Sequence, residues 1–345
     1  MPDAQIEEFV RQRGYGDFLS DTVLTYPGRN PNMAGRTTTG IDVFAKRIVG
    51  PRADLGARLE DLGRELRWEH LRWPDVMADD PVHRIHVTRL VKDARTAADT
   101  VASGEFTAPL ARALGAALGE LHAARFAPGR LRRRPLPMPS VRVFSALSLS
   151  QYLESSGGLI EFWRILQSDD QLKESVELLR KEEESVPPVP IHADLRLDQV
   201  LVAAGELVVT DWEEFRYGDA ARDIGTVAGE FLHRCVTGVA AEEIDAPDAA
   251  GADTEIVARG VRGLAEALPV LEAFTGGYRA VRPGRDRDLA RRAVAFAGWH
   301  LLDRVMASAA YGSELSPVHR AAVGVGRTAL TRPAGYTGVL GLEAL

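Results

Sequence analysis

The chain has 345 residues, of which 45% are hydrophobic and 26% are charged, and its formal net charge is −7. A chain of this length favours two lobes or domains, and the composition is typical of globular proteins in water. No apolar run is long enough to span a bilayer, the single Cys235 excludes an intrachain disulfide and a cysteine-rich metal site, and the acidic balance argues against nucleic acid as a partner. The N-terminus lacks the basic and apolar regions of a secretion signal, so we expect a cytoplasmic protein with no membrane partner.

The first 93 residues predict a small lobe rich in β-structure. Residues 22–49 alternate apolar and polar side chains on both sides of a stretch rich in Gly, Asn and Thr, which predicts a β-hairpin. Residues 54–73 repeat leucine near the period of an amphipathic helix, and residues 85–91 have the pattern of a strand. We therefore assign residues 1–93 to an N-terminal lobe.

Residues 94–345 predict a larger lobe made mostly of helices. The pattern is that of one helix over residues 106–124, of two helices over 147–184, and of a helical region over 218–330 with loops around Pro247 and Pro283. A cluster of prolines at residues 187–190 ends a helix and leads into a short extended segment. A β-rich lobe followed by a helical lobe makes the expected fold class α+β.

Three charged runs stand out in the sequence. The basic runs Arg130 to Arg134 and Arg282 to Arg292 indicate either a solvated face or a polyanion site. The run Lys181 to Glu184 indicates the exposed end of a helix.

Two carboxylates flank a predicted hairpin between residues 191 and 214. The sequence is Ile191-His-Ala-Asp-Leu-Arg-Leu-Asp-Gln-Val-Leu-Val202, then a turn at Gly205, then Glu206-Leu-Val-Val-Thr-Asp-Trp-Glu-Glu214. A polar loop, a short strand, a turn and a second strand would hold Asp194 and Asp211 at the mouth of the hairpin. Phosphoryl transfer uses such a pair, because one carboxylate orients the attacking hydroxyl and accepts its proton while the other holds Mg²⁺.

These motifs resemble the protein-kinase-like superfamily and, within it, the aminoglycoside phosphotransferase family. The segment from His192 resembles the kinase catalytic loop, Asp211-Trp-Glu resembles the metal-binding motif of that family, and Gly218-Asp-Ala-Ala-Arg-Asp223 resembles its Gly-Asp-Pro-x-x-Asp motif. The resemblance implies a two-lobed kinase-like fold and an ATP- and Mg²⁺-dependent phosphotransferase. Residues 1–93 would then bind the nucleotide, and residues 94–345 would carry the catalytic and substrate sites.

The resemblance also implies a role for each matching residue of the second lobe. Asp194 would be the catalytic base, Arg196 would steady charge on the transferred phosphate, and His192 would brace the loop. Asp211 would chelate Mg²⁺, and Asp223 would tie the catalytic loop to the next helix.

One position departs from the family pattern. The metal-binding Asn of the family is replaced by Gln199, whose amide oxygen lies one methylene further from the main chain. Either the backbone adjusts and Gln199 binds the metal, or Asp198 assists, or the second metal site is weak.

In the N-terminal lobe, Val43-Phe-Ala-Lys46 resembles the kinase strand whose lysine contacts the α- and β-phosphates of ATP. A glutamate of the predicted helix would fix Lys46, and Glu65 is our choice, with Glu69 as the alternative. Asn32 and Gly35 would belong to a loop that covers the phosphates, although an ordinary polar hairpin turn is also consistent with the pattern.

The same motifs, together with Gly229-Glu-Phe-Leu232, most resemble the kinase subunits of class V lanthipeptide and thioamitide synthetases. The resemblance implies a precursor peptide as substrate, phosphorylated on Ser and Thr, with a lyase and a cyclase subunit of the same pathway as partners. Two alternatives stay open. One is a small-molecule kinase for aminoglycosides or amino alcohols, to which the acids of residues 240–248 could contribute, and the other is a peptide-binding pseudokinase, suggested by Gln199.

Overall fold

The structure is a computed structural model, and it describes residues 3–26, 28–49, 67–126, 131, 138–139, 141–238, 249–284 and 286–345. The chain forms two compact units, each assembled from separate segments. Unit 1 contains Met1–Phe106, Phe126–Leu131 and Leu197–Phe215, and unit 2 contains Thr107–Arg125, Arg132–Arg196 and Arg216–Leu345. Strands dominate the described part of unit 1 and helices that of unit 2, which makes the fold α+β as predicted.

The described elements are named in chain order. The strands are β1 (Asn32–Arg36), β2 (Asp42–Arg47), β3 (Val76–Asp80), β4 (Ile85–Arg89), β5 (Arg95–Thr96), β6 (Val189–Ile191), β7 (Val200–Ala203), β8 (Glu206–Val209) and β9 (Arg216–Gly218). The α-helices are α1 (Ala4–Gln12), α2 (Ala97–Ala102), α3 (Ala108–Ala123), α4 (Leu149–Glu154), α5 (Gly157–Gln167), α6 (Asp170–Ser185), α7 (Ala220–Gly238), α8 (Ala249–Val281), α9 (Leu289–Ala309) and α10 (Pro317–Thr331). Short 3-10 turns occupy Val141–Phe144, Leu197–Gln199, Trp212–Glu214 and Pro333–Tyr336.

Unit 1 is built on an antiparallel sheet with the strand order β1-β2-β4-β3. Val43 and Ala45 of β2 point into the core, which α1 covers with buried apolar side chains. Because side chains alternate along a strand, Lys46 leaves β2 on the face opposite Ala45. The sheet therefore holds a lysine outside its core, next to the end of the strand.

The N-terminal hairpin lies further along the chain than we predicted. Its first strand is β1, within the Gly/Asn/Thr-rich stretch, and residues 22–26 contribute only an isolated bridge between Leu24 and Ala34. A Cβ atom at position 35 would lie 3.1 Å from the carbonyl oxygen of Thr22, so the small Gly35 lets the preceding segment pass close to β1. The tight turn is formed by residues 37–41, where Gly40 has a φ of 81°.

The predicted hairpin of the catalytic segment is confirmed. β7 and β8 pair from Val200 opposite Val209 to Ala203 opposite Glu206. Ala204 and Gly205 connect them with φ angles of 50° and 81°, and a two-residue turn with both φ angles positive matches the twist of a hairpin.

The predicted helices are confirmed in part. α3 matches the helix predicted over residues 106–124. Residues 147–184 contain three helices rather than two. Each of the three begins after a residue whose side chain accepts a hydrogen bond from a main-chain N–H of the first turn, and these residues are Ser148, Ser156 and Asp169. Residues 67–73 are not helical, β3 was not predicted, and the rest of the helix predicted over 54–73 lies outside the described residues.

Unit 2 is a helical assembly in which small residues allow close contact. A Cβ atom on Gly115 of α3 would lie 1.9 Å from the carbonyl oxygen of Phe274 on α8, and one on Gly225 of α7 would lie 2.5 Å from that of Ala293 on α9. The helical region predicted from residue 218 onward is confirmed in its described parts, with a loop at Pro283. Across the described ranges, no helix combines the length and hydropathy that crossing a bilayer requires.

Candidate active site

Lys46 and two carboxylates converge in unit 1. The Nζ atom of Lys46 lies 2.5 Å from Oδ1 of Asp211 and 2.9 Å from Oε2 of Glu213. Burial alone would lower the pKa of Lys46, but the two carboxylates raise it overall. The lysine is therefore held as a cation beside two anions.

The local backbone explains how two carboxylates so close in sequence reach one lysine. β8 ends at Val209, and Asp211 adopts the left-handed conformation with a φ of 60°, which is uncommon for a residue other than glycine. A 3-10 turn then begins at Trp212, whose buried indole Nε1 donates a hydrogen bond of 2.9 Å to the carbonyl oxygen of Val209. A strained residue held in place by its surroundings is common at functional sites.

Glu213 is the partner of Lys46 that sequence reasoning missed. The predicted partner Glu65 lies outside the described residues, and the alternative, Glu69, is exposed. Glu213 also accepts a hydrogen bond of 2.8 Å from the side chain of Asn30. The Asn30 amide oxygen in turn accepts from the main-chain N–H of Val49, at 2.9 Å. The only signal for Glu213 in the sequence was its position, two residues after the predicted metal ligand Asp211.

The two residues predicted to cover the phosphates have other contacts. Asn32 lies opposite Lys46 in the β1-β2 ladder, but its side chain bonds to the main-chain N–H and carbonyl of Tyr26. Gly35 lies in the middle of β1, packed against Thr22. Asn30, rather than Asn32, is the asparagine that reaches the Lys46 cluster.

Gln199 is fixed at the same end of the hairpin as Asp211. Its main-chain carbonyl oxygen accepts hydrogen bonds from the N–H and the hydroxyl of Thr210, at 2.8 Å and 3.0 Å. The neighbouring Asp198 is exposed. Gln199 therefore lies across the hairpin from Thr210, the residue before Asp211.

The residues of this cluster fit a divalent metal with bound phosphates. No group of three or more His, Cys, Asp or Glu residues that could hold a metal ion occurs in the part of the chain that the structure describes. Mg²⁺ does not need one, since it is commonly bound by one or two carboxylates and completes its shell with phosphate and water oxygens. Asp211 and Glu213 supply two carboxylates that already face a cation, the ammonium of Lys46.

The catalytic loop follows β6 in unit 2. The two oxygens of Asp223 accept the main-chain N–H groups of His192 and Ala193, at 2.7 Å and 2.8 Å. Ala193 has a φ of 71°, and the main-chain N–H of Asp194 bonds to Nδ1 of His192 at 3.3 Å. The structure therefore places His192 and Asp223 where they hold the loop that carries Asp194.

Asp194 is the accessible carboxylate of this loop. Its side chain is 39% exposed, and its Oδ1 lies 3.3 Å from Nε of Arg196. Asp194 and Arg196 thus form an ion pair at the surface of unit 2. Asp211 and Gln199 belong to unit 1.

The motif Gly218–Asp223 anchors unit 2 through buried ion pairs. Asp219 pairs with Arg292, with contacts of 2.7 Å and 3.0 Å, and Arg222 pairs with Glu183, with contacts of 2.7 Å and 2.8 Å. Burial alone would lower the pKa of Arg292, but Asp219 and Asp286 raise it overall. The motif joins α7 to α6 and α9 by charge pairs inside the protein.

These pairs correct two interpretations of the charged runs. Arg292 is buried, and Arg291 bonds to Glu182, so this part of the run Arg282 to Arg292 is neither a solvated face nor a polyanion site. Glu183, predicted on an exposed helix end, is buried against Arg222. Most of the other basic run lies outside the described residues.

A second buried carboxylate, Glu230, lies on α7. It accepts a hydrogen bond of 2.7 Å from Nε2 of His300 and lies 3.7 Å from Nε of Arg304, both on α9. Burial alone would raise the pKa of Glu230, but His300, Arg304 and Arg196 lower it to about 2. Burial lowers the pKa of the nearby His233 to about 4. Glu230 is therefore an anion whose charge is offset by the neighbouring His300 and Arg304.

Two features are typical of a kinase-like phosphotransferase. One is a strand lysine paired with carboxylates that follow a β-hairpin, and the other is an accessible aspartate on a loop that a buried aspartate holds in place. The model of the phosphotransferase enzyme family matches residues 92–263, about half of the chain, and the protein is an enzyme of the kinase type. A search of curated proteins finds no match to the sequence.

Solved structures agree on the fold. An amicoumacin kinase in complex with AMP-PNP, Ca²⁺ and its ligand has a TM-score of 0.56 and 14% identity over 95% of this chain and 93% of its own. A choline/ethanolamine kinase family protein from Mesorhizobium loti has a TM-score of 0.56 and 14% identity over 99% of this chain and 97% of its own. These likenesses concern the fold, and they confirm the predicted two-lobed, kinase-like α+β architecture.

Proposed function

We propose that the protein transfers the γ-phosphate of ATP, with Mg²⁺, to Ser and Thr hydroxyls of a ribosomally made precursor peptide. A partner lyase would then eliminate the phosphates to leave dehydroamino acids, and a cyclase subunit could act on these. The observation that carries the phosphotransfer is the cluster in which Lys46 meets Asp211 at 2.5 Å and Glu213 at 2.9 Å. A complex of one kinase of the same fold with AMP-PNP and Ca²⁺ supports a nucleotide and a divalent metal.

The residues of unit 1 would hold the nucleotide. Lys46 would contact its phosphates, and Asp211 would bind the metal, with Glu213 or Gln199 as a second ligand. Mg²⁺, when bound, neutralises charge on the phosphates. Bound phosphates would give Lys46 new anionic partners, and Asp211 and Glu213 would then be available to the metal.

The residues of unit 2 would act on the acceptor. Asp194 would accept the hydroxyl proton as the hydroxyl oxygen bonds to the γ-phosphorus and ADP leaves. Arg196, 3.3 Å from Asp194, would stabilise charge on the transferred phosphate. The main-chain N–H groups of His192 and Ala193 donate to Asp223, and these hydrogen bonds would help to orient Asp194 toward the acceptor.

The charges around Glu230 favour a peptide over an amino-bearing small molecule. A cationic acceptor such as an aminoglycoside calls for carboxylates that are not already neutralised. Glu230 instead accepts from His300 and lies among the charges of Arg304 and Arg196, the second of which is the neighbour of Asp194. A Ser or Thr side chain is neutral and needs no such carboxylate. The acids of residues 240–248, which could serve an amino acceptor, lie outside the described residues.

The test compares acceptors in one assay. ADP release would be followed with ATP and Mg²⁺ while the acceptor is varied among a Ser/Thr-containing precursor peptide of the lanthipeptide class, an aminoglycoside and choline. We expect saturable turnover with the peptide alone, and a loss of phosphate from the product when a phosphate-eliminating lyase of the same pathway class is added. Rapid turnover of the aminoglycoside or choline beside an inert peptide would replace the peptide kinase with a small-molecule kinase. No turnover with any acceptor, although MgATP binds, would favour the pseudokinase.

A further inference from the structure

A chain of buried polar side chains leads from the end of α8 to the catalytic loop. Arg282 donates a hydrogen bond from Nη1 to the hydroxyl oxygen of Tyr278. The Tyr278 hydroxyl lies 3.0 Å from Nδ1 of His122, on α3. The Nε2 atom of His122 lies 3.2 Å from Oδ2 of Asp223, the carboxylate that holds the loop. Tyr278, His122 and Asp223 are each at most 2% exposed.

The protonation states give the chain a single direction. Burial lowers the pKa of His122, so the imidazole is neutral and carries one N–H. Burial alone would raise the pKa of Asp223, but the hydrogen bonds that it accepts from His122 and from the main-chain N–H of Ala193 help to lower it overall, so the carboxylate only accepts. His122 must then donate from Nε2 and accept at Nδ1. Burial raises the pKa of Tyr278 to about 12, which keeps its hydroxyl protonated as the donor to Nδ1.

The orientation of Asp223 matters because both of its oxygens are used by adjacent residues. Each oxygen accepts one N–H of the pair His192 and Ala193, and Ala193 is held at a positive φ. A rotation of the carboxylate would lengthen one of these bonds and shift the peptide that precedes Asp194. The donor from His122 reaches Oδ2 from a different helix and opposes that rotation.

We propose that Arg282, Tyr278 and His122 are positioning residues that orient the catalytic loop through the carboxylate on α7. Their hydrogen bonds reach the loop through Asp223. The proposal rests on the proposed phosphotransfer at Asp194 but not on the identity of the acceptor. It also gives a use to Arg282, the first residue of a basic run whose role the sequence left open.

Three variants separate positioning from packing. Tyr278→Phe removes one hydroxyl and leaves Nδ1 of His122 without its donor. His122→Gln keeps an N–H near the place of Nε2, whereas His122→Phe removes it. Phe274→Leu is the matched control, since Phe274 is a buried aromatic residue on the same helix, one turn earlier.

ADP release with water as the acceptor measures the chemical step without a peptide. We expect Tyr278→Phe and His122→Phe to lower kcat about tenfold or more, as a small misplacement of a reacting group does, with an unchanged Kd for AMP-PNP. His122→Gln should recover part of the loss, and Phe274→Leu should keep the wild-type kcat. Wild-type kcat in Tyr278→Phe would overturn the proposal.

Amide NMR provides a readout that does not depend on turnover. We expect the ¹H–¹⁵N signals of His192 and Ala193 to shift in Tyr278→Phe and to stay in place in Phe274→Leu. Unmoved loop signals in Tyr278→Phe would overturn the positioning role. A wild-type protein that binds AMP-PNP but releases no ADP with water or with any hydroxyl acceptor would contradict the proposed function, while the NMR comparison would still decide the positioning role.

Discussion

Replacement of Glu213 by Gln tests whether this carboxylate belongs to the nucleotide site. Glu213 accepts from Lys46 at 2.9 Å and from Asn30 at 2.8 Å, and its side chain is 13% exposed. Both donors contact Oε2, and the neutral amide would lose the charge that attracts the Lys46 ammonium. An amide is also a much poorer metal ligand than a carboxylate. A hydrogen bond to a charged group contributes about 1.5–3 kcal/mol, which corresponds to a loss of roughly 10- to 100-fold in affinity.

The assay is the KM for ATP at several fixed Mg²⁺ concentrations, together with the Kd of Mg·AMP-PNP by calorimetry. We expect both constants to rise in Glu213→Gln, and the Mg²⁺ concentration for half-maximal rate to rise with them. The control is Glu206→Gln, an exposed glutamate on the same hairpin that pairs only loosely with Arg72, at 3.8 Å. Unchanged nucleotide and Mg²⁺ constants in Glu213→Gln would refute the assignment of Glu213 to this site.

Three further predictions concern the phosphate and metal site and the buried Glu230. Lys46→Ala and Asp211→Ala should both weaken MgATP binding, but excess Mg²⁺ should partly restore activity only in Asp211→Ala, which a Mg²⁺ titration of the rate would show. If Gln199 binds metal, Gln199→Asn should keep measurable activity with a shifted Mg²⁺ requirement and Gln199→Ala should lose far more; equal near-wild-type rates would exclude a ligand role. Glu230 has a folded-state pKa of about 2 against an ordinary value of 4.5, so it contributes stability that is present above pH 4.5 and lost as the pH falls toward 2. Urea unfolding of wild type and Glu230→Gln should therefore differ at pH 7 and converge at low pH, and a constant difference across that range would contradict the interaction with His300.

Much of the fold follows from local sequence signals. The hairpin of β7 and β8 was predictable because a Gly-containing turn separates two short apolar runs, and α3 because its apolar residues recur at helical spacing. The position of β1 was not predictable, because Asn32 and Gly35 have low strand propensity and are fixed there by contacts with Tyr26 and Thr22 of the preceding segment.

In the candidate site, too, some residues could be predicted from the sequence and others could not. The motifs made Lys46, Asp194 and Asp211 candidates, since each stands at a fixed offset from recognisable neighbours, and the structure pairs Lys46 with Asp211. The role of Glu213 depends on the left-handed conformation of Asp211, a tertiary feature that composition does not reveal. The burial of Glu183 is likewise invisible in a charged run, because its partner, Arg222, is far away in sequence.

Mass spectrometry of the precursor peptide tests the central claim most directly. The peptide would be incubated with ATP, Mg²⁺ and either wild-type enzyme or Asp194→Asn, in which the accessible carboxylate of the catalytic loop becomes an amide. We predict one or more phosphate additions on Ser or Thr with the wild type, and a rate at least about a hundredfold lower with Asp194→Asn at nearly unchanged nucleotide affinity. A peptide that stays unmodified with the wild type, or one that Asp194→Asn phosphorylates at the wild-type rate, would contradict the account.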